Sequence, residues 1–213
     1  MNKINSDLYY FKYFDIMAAR NNSIRIDFPV LFFETSEAWM KWLEKNHSDS
    51  PGVWLRFYKK SSGFRSINYD LALDEALCFG WIDGQIKSHD EQSYLQKFTP
   101  RRIRSVWSKR NIENVLRLEQ EGRMKTSGIR EAEAAKADGR WNIAYDSPAN
   151  MSIPDDLMEA LSKDSKSADF FNNLNRANKY AITFRLQTAK KPETREKRMK
   201  AILEMLSKGK KFH

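Results

Sequence analysis

All the strand-like apolar runs of this chain lie before Pro100 and only helix-like ones follow it, and that order limits the folds open to it. Before Pro100, short runs rich in aromatic and β-branched residues and bounded by turn residues alternate with helical spacing; after it apolar residues recur only three and four positions apart. Residues 26–33, 53–58 and 94–99 read as strands, with Pro29 marking the first as an edge strand. Lys60-Ser61-Ser62-Gly63 reads as a turn into a hairpin partner over residues 64–68. Between the strands, a helix is expected after an N-cap at Thr35 or Ser36, with Trp39, Trp42 and Leu43 on one face. A second covers residues 70–79, with Leu73, Ala76 and Leu77 inward and Gly80 as its stop. Residues 81–86 are too short and glycine-rich for a helix and read as a loop.

After Pro100, helices are expected to start at Ser108, Ser127, Pro154 and Pro192. Gly122, Gly139 and Gly209 mark stops, and Ala177, Tyr180, Ala181 and Phe184 mark one more helix. Strands early and helices late imply an α+β protein: a small antiparallel-type sheet with packed helices, then a helical C-terminal part. The corresponding division is an N-terminal extension over residues 1–25, an α+β core domain over 26–145, and a basic helical region over 146–213.

The 213 residues are 41% hydrophobic and 13% aromatic, enough for a real core. No run approaches the roughly 18 apolar residues of a membrane span. The aromatic stretch over residues 8–19 carries Lys12 and Asp15 and fits a secretory signal poorly. The single cysteine, Cys78, excludes an intrachain disulfide, lies in an apolar stretch and suits the cytoplasm.

Charge is uneven. From Arg176 to His213 there are twelve Lys/Arg against three Asp/Glu, a surplus of nine that equals the formal charge of the whole chain. A second cluster holds Lys97, Arg101, Arg102, Arg104, Lys109 and Arg110, with no acid from Lys97 to Arg110. Such fields favour anionic ligands, acidic partners or nucleic acid, and they also serve as solubilising surface.

Two segments hold the candidate site. Gly80 and Gly84 bracket Trp81, Ile82 and Asp83, so one short stretch presents an indole, an apolar anchor and a carboxylate. The bland alternative has Trp81 filling core while Asp83 pairs with an arginine. The second segment runs from Arg101 to Arg110. Arg101 and Arg102 offer guanidinium forks for carboxylate or phosphate, Ser105 and Ser108 offer hydroxyls, and Trp107 offers a stacking surface. The helix start at Ser108 adds free backbone N–H groups. Its alternative is that Arg101 or Arg102 neutralises Asp83 in a structural network.

Other chemistries find no footing. His47, His89 and His213 are scattered, and one cysteine cannot form a zinc cluster. There is no phosphate loop or dinucleotide fingerprint, so no cofactor or metal is expected. Asp74 and Glu75 read as ordinary helix surface. No catalytic set emerges, although an enzyme with Asp83 as base and the arginines as clamp stays open. Lys190 to Arg198 reads either as a solvated helix start or as a source of phosphate contacts. No groove-reading helix or aromatic-interleaved basic strand is recognised, so nucleic-acid binding would rest on the C-terminal helices.

Longer motifs carry a resemblance. Tyr69-Asp70-Leu71-Ala72-Leu73-Asp74-Glu75-Ala76-Leu77-Cys78-Phe79-Gly80-Trp81-Ile82-Asp83-Gly84 is followed by Phe98-Thr99-Pro100-Arg101-Arg102 and Ser105-Val106-Trp107-Ser108-Lys109-Arg110-Asn111. Gly122-Arg123-Met124, Asp138-Gly139-Arg140-Trp141 and Ala189-Lys190-Lys191-Pro192-Glu193-Thr194-Arg195 complete it. From about Pro29 to Lys210 the chain resembles the YdeI/OmpD-associated family of bacteriocin-protection proteins. The resemblance implies protection against bacteriocins and some link to an outer-membrane porin. It supplies no catalytic residues to carry over. Together with the absent secretion signal, it implies a cytoplasmic binding or stress-protection role.

Overall fold

Thr35 and Asn68 set where the first two helices begin. The Thr35 hydroxyl accepts from the Ala38 amide at 3.3 Å and opens α1 (Ser36–Asn46); the Asn68 carboxamide accepts from the Leu71 amide at 2.9 Å and opens α2 (Tyr69–Cys78). Around them a computed structural model, which describes residues 28–212, forms a four-stranded sheet. Its strands are β1 (Val30–Leu31), β2 (Val53–Tyr58), β3 (Trp81–Ser88) and β4 (Ser93–Pro100), in the order β1-β2-β4-β3. β2, β4 and β3 are antiparallel neighbours, while β1 runs parallel to β2, which makes the sheet mixed. The α+β reading holds, and β1 does lie at an edge, though over only two residues. Residues 1–25, read as an extension, lie outside the described residues.

Register decides which side chains meet the helices. Val53 opposes Phe98 and Leu55 opposes Gln96, so Val53, Leu55, Phe57 and Phe98 share one face. That face is buried with Trp39 and Leu43 of α1 and with Leu73 and Leu77 of α2. The Trp39 ring meets those of Phe98 and Trp81 edge-on, at 5.9 and 6.3 Å between centroids. Trp54, Arg56 and Tyr58 point to the opposite face.

Three sequence expectations give way here. Residues 64–68 form no strand, because both sides of β2 are already taken by β1 and β4. A single 3-10 turn (Lys60–Ser62) leads instead into irregular chain, held where Ser66 accepts from the Tyr58 amide and Ile67 donates to the Phe33 carbonyl. Residues 81–86 belong to a strand rather than a loop: Trp81, Ile82, Asp83 and Ile86 pair with β4, and Gly84 falls at a bulge between them. Asp74 and Glu75 are buried, not surface residues, because α2 is covered from Ala72 through Cys78.

A second compact unit runs from Arg102 onward. It comprises α3 (Lys109–Gln120), α4 (Thr126–Ala137), α5 (Asp155–Ser162), α6 (Ser165–Asn172), α7 (Arg176–Gln187) and α8 (Pro192–Ser207). Leu157, Leu161, Phe171, Ile182, Leu186, Ile202 and Leu206 form one buried cluster among the last four helices. α4 starts just before Ser127, so that serine is inside the helix rather than capping it. α6 has no counterpart among the expected helices; its sequence signal is Asp164, whose carboxylate accepts from the Ser167 amide at 3.3 Å.

Candidate functional site

The residues singled out from sequence fall on both sides of the division between the units. Trp81, Asp83 and Arg101 belong to the first, and Arg102, Ser105, Trp107 and Ser108 to the second.

Gly80 ends α2 in a left-handed conformation at φ 76°, which turns the chain straight into β3. This drives Trp81 into the core, where it is 1% exposed and its Nε1 donates to the His47 carbonyl at 3.0 Å. Asp83, two residues on, is half-buried, and its Oδ2 accepts from the Tyr69 hydroxyl at 2.8 Å. Arg101 is buried at the end of β4, where its amide donates to the Gly80 carbonyl at 3.0 Å. The stretch therefore places an indole and a guanidinium inside and leaves one hydrogen-bonded carboxylate partly accessible.

In the second unit the chain reverses over Arg102-Ile103-Arg104-Ser105. The Ser105 amide donates to the Arg102 carbonyl at 2.9 Å, and the Arg102 amide donates to the Ser105 hydroxyl at 3.1 Å. Arg104 adopts φ 71°, the one non-glycine left-handed residue among the described residues. Such a conformation costs roughly 1–2 kcal/mol and persists only where its surroundings hold it. The holding group is Arg140, 4% exposed, whose Nη1 donates to the Ser105 carbonyl at 3.0 Å. Asp138 fixes Arg140 in turn, accepting from its Nε through both oxygens at 2.7 and 2.8 Å. Partial burial opposes the Asp138 charge, yet the Arg140 bonds outweigh it and draw the carboxyl below its ordinary range. Arg102 and Arg104 are exposed at the tip, and Ile103 between them is 92% exposed.

Trp107 and Ser108 lie just behind the turn. Trp107 is buried against Trp141, with ring centroids 5.1 Å apart. The Ser108 hydroxyl is committed to the Asn111 amide at 3.1 Å, so the serine caps α3 as expected. Lys109 reaches the buried Asp146 carboxylate at 2.7 Å, and Gln187 donates to the same carboxylate at 2.8 Å. Burial would raise the Asp146 pKa, but these bonds prevail and lower it. Sequence reasoning singles out neither Arg140 nor Asp146. The signal for Arg140 is the Asp-Gly-Arg spacing, with the aspartate two residues before the arginine.

The second basic motif is a structural fastening. Arg195 donates through Nε and Nη2 to the two Asp156 oxygens, each at 2.8 Å, and through Nη1 to the Leu186 carbonyl at 2.7 Å, joining α8 to α5 and α7. Arg198 donates to the Arg185 carbonyl at 2.6 Å. The Arg195 fork holds the Asp156 carboxyl below the ordinary carboxylate range. Both partners are partly exposed, so water screens the pair, and Arg195→Ala is expected to cost only about 1 kcal/mol at pH 7. A depressed carboxylate contributes its stability above the unfolded pKa of about 4 and loses it as pH falls through the folded value. Urea unfolding should therefore separate variant and parent most at pH 7 and narrow the gap as pH falls below the ordinary carboxylate range, leaving only what the Leu186 bond contributes. An equal gap throughout would refute the assignment.

Residues 150–209 match the family model described as "Bacteriocin-protection, YdeI or OmpD-Associated". Residues 31–131 match a different model, described as a domain of unknown function (DUF8412). The motifs from Tyr69 to Asn111 thus fall within the second match and outside the first. No curated protein and no solved structure matches the chain.

Proposed function

We propose, starting from the match of residues 150–209 to the YdeI/OmpD-associated family model, that the chain is a cytoplasmic binding protein that holds an anionic ligand or acidic partner on the Arg102-Ile103-Arg104 turn. The observation that carries the proposal is the exposure of two guanidinium groups on a braced, strained turn. A fixed backbone lowers the ordering cost of binding, and paired forks recognise carboxylate or phosphate through two hydrogen bonds each. Ile103 adds an apolar contact between the charges. Asp83, Ser105 and Ser108 are held by internal bonds, and Trp81, Arg101 and Trp107 are buried, so the proposal rests on Arg102 and Arg104. An enzyme built on Asp83 receives no comparable support. A cytoplasmic setting agrees with the lone buried thiol, Cys78. No helix among the described residues is long and apolar enough to cross a membrane.

Thermal unfolding with inorganic phosphate, citrate and a hexaglutamate peptide tests this. At least one should raise the Tm by several degrees when present at about a hundredfold excess over its Kd. The double variant Arg102→Ala/Arg104→Ala should lose that rise while its ligand-free Tm stays within about 2 °C of the parent, as expected for surface changes. A rise that survives the double substitution, or no rise with any of the three probes, would overturn the proposal.

A further inference from the structure

The sheet face turned away from α1 and α2 has a chemistry that the Arg102 turn does not use. β2 places Trp54, Arg56 and Tyr58 on that face by its two-residue repeat, so an aromatic–cation–aromatic alternation exists there after all. The neighbouring strands extend it. Lys97, opposite Trp54 on β4, sets its ammonium 4.1 Å from the Phe28 ring centroid and 5.8 Å from that of Trp54. Lys87 of β3 lies 4.1 Å from the Trp54 centroid, and Arg56 lies 4.6 Å from that of Tyr58. Tyr58 also joins two more rings, Phe32 at 5.5 Å and Phe64 at 4.9 Å.

Two of these rings are open to solvent: Phe32 is 42% exposed and Phe64 57%. Large aromatic surface is costly to leave in water, and here it sits among cations. The segment that carries Phe64 is itself basic, with Lys60 and Arg65 exposed and no acid between Val53 and Tyr69, while Lys59 donates to the Glu91 carbonyl at 2.9 Å. Asp90 is committed to Arg56 at 2.7 Å.

We infer that this face binds single-stranded nucleic acid, with unpaired bases stacking on Phe64 and Phe32 and backbone phosphates meeting Lys60 and Arg65. Exposed ring faces suit bases of any identity, and the surrounding cations suit a polyanion running across the strands. A duplex buries its base faces in its own stack and offers these rings nothing. The face supplies no helix or ribbon to enter a groove, which also favours a single strand. On the C-terminal helices, by contrast, Arg195 and Arg198 are already engaged with Asp156 and with backbone carbonyls.

Fluorescence anisotropy of the full chain with a labelled oligothymidylate of about 15 nucleotides, and with a duplex of equal length, tests the inference. Expected at low salt is binding of the single strand in preference to the duplex. Phe32→Ala/Phe64→Ala should weaken it by about tenfold or more with Tm unchanged, since each stacked base contributes a factor of about five or more. Phe64→Trp should retain the affinity, because the ring is kept. Lys60→Ala/Arg65→Ala should lower the steepness of the salt dependence by about one and a half units of log K per log salt. The inference is overturned by the absence of binding at low salt, by equal affinity for duplex, or by an aromatic double variant that binds as tightly as the parent.

Discussion

Replacing Trp81 with alanine is expected to destabilise the first unit by about 3–5 kcal/mol, the range for deleting a fully buried large aromatic ring. The ring lies edge-on to Trp39 and Trp42, at 6.3 and 5.9 Å, and its Nε1 holds the His47 carbonyl at the end of α1. Alanine would leave a cavity between helix and sheet and orphan that carbonyl. Urea unfolding followed by tryptophan emission reports on it, because Trp39, Trp42 and Trp54 of this unit remain in the variant. A loss below about 1 kcal/mol would mean that Trp81 is not a core residue, and the reading of the Trp-Ile-Asp-Gly stretch as a strand start would fail with it.

Gly52→Ala is expected to cost about 2–4 kcal/mol, although the change adds one methyl group. Gly52 is buried ahead of β2 at φ 144°, where side chains are strained. A Cβ there would lie 2.7 Å from Thr99 Cγ2 and 2.9 Å from both Phe28 Cε1 and the Phe98 carbonyl oxygen. Side chains can yield, but the Phe98 oxygen belongs to the backbone of β4 and cannot move without disturbing the β2–β4 pairing. Gly63→Ala is the matched control: it is also left-handed, at φ 75°, but an added methyl group there would have nothing within 4 Å of it. It should cost only the conformational strain, about 1 kcal/mol. Equal losses for the two variants in the same unfolding assay would rule out the close approach at Gly52.

Short-range chemistry made much of this fold readable. Thr35, Ser108 and Gly80 act locally, through bonds or backbone angles within a few residues, and each sits where the sequence places it. The hairpin after Lys60 fails because local turn chemistry says nothing about which strand claims the edge of β2, and β4 claims it from about 40 residues away. Asp74 and Glu75 mislead for a related reason: charge suggests surface, but burial follows from what packs on a helix. At the candidate site, the sequence draws attention to the arginine-rich segment and cannot rank its members. Arg101 and Arg102 are adjacent and chemically identical, yet one is buried and the other exposed. The group that braces the Arg102 turn, Arg140, lies 35 residues beyond Ser105.

β3 ends the sheet with one side of its backbone turned outward, and such a margin is an invitation for a neighbouring molecule to add a strand. The register shift between Asp83 and Ile86 breaks that invitation. Gln96 reinforces the break from inside the sheet, its Nε2 donating to the Gly84 carbonyl at 2.8 Å, and Lys87 sets a positive charge just beyond it. The margin is therefore an interrupted edge, which a neighbouring strand could not pair with along its whole length.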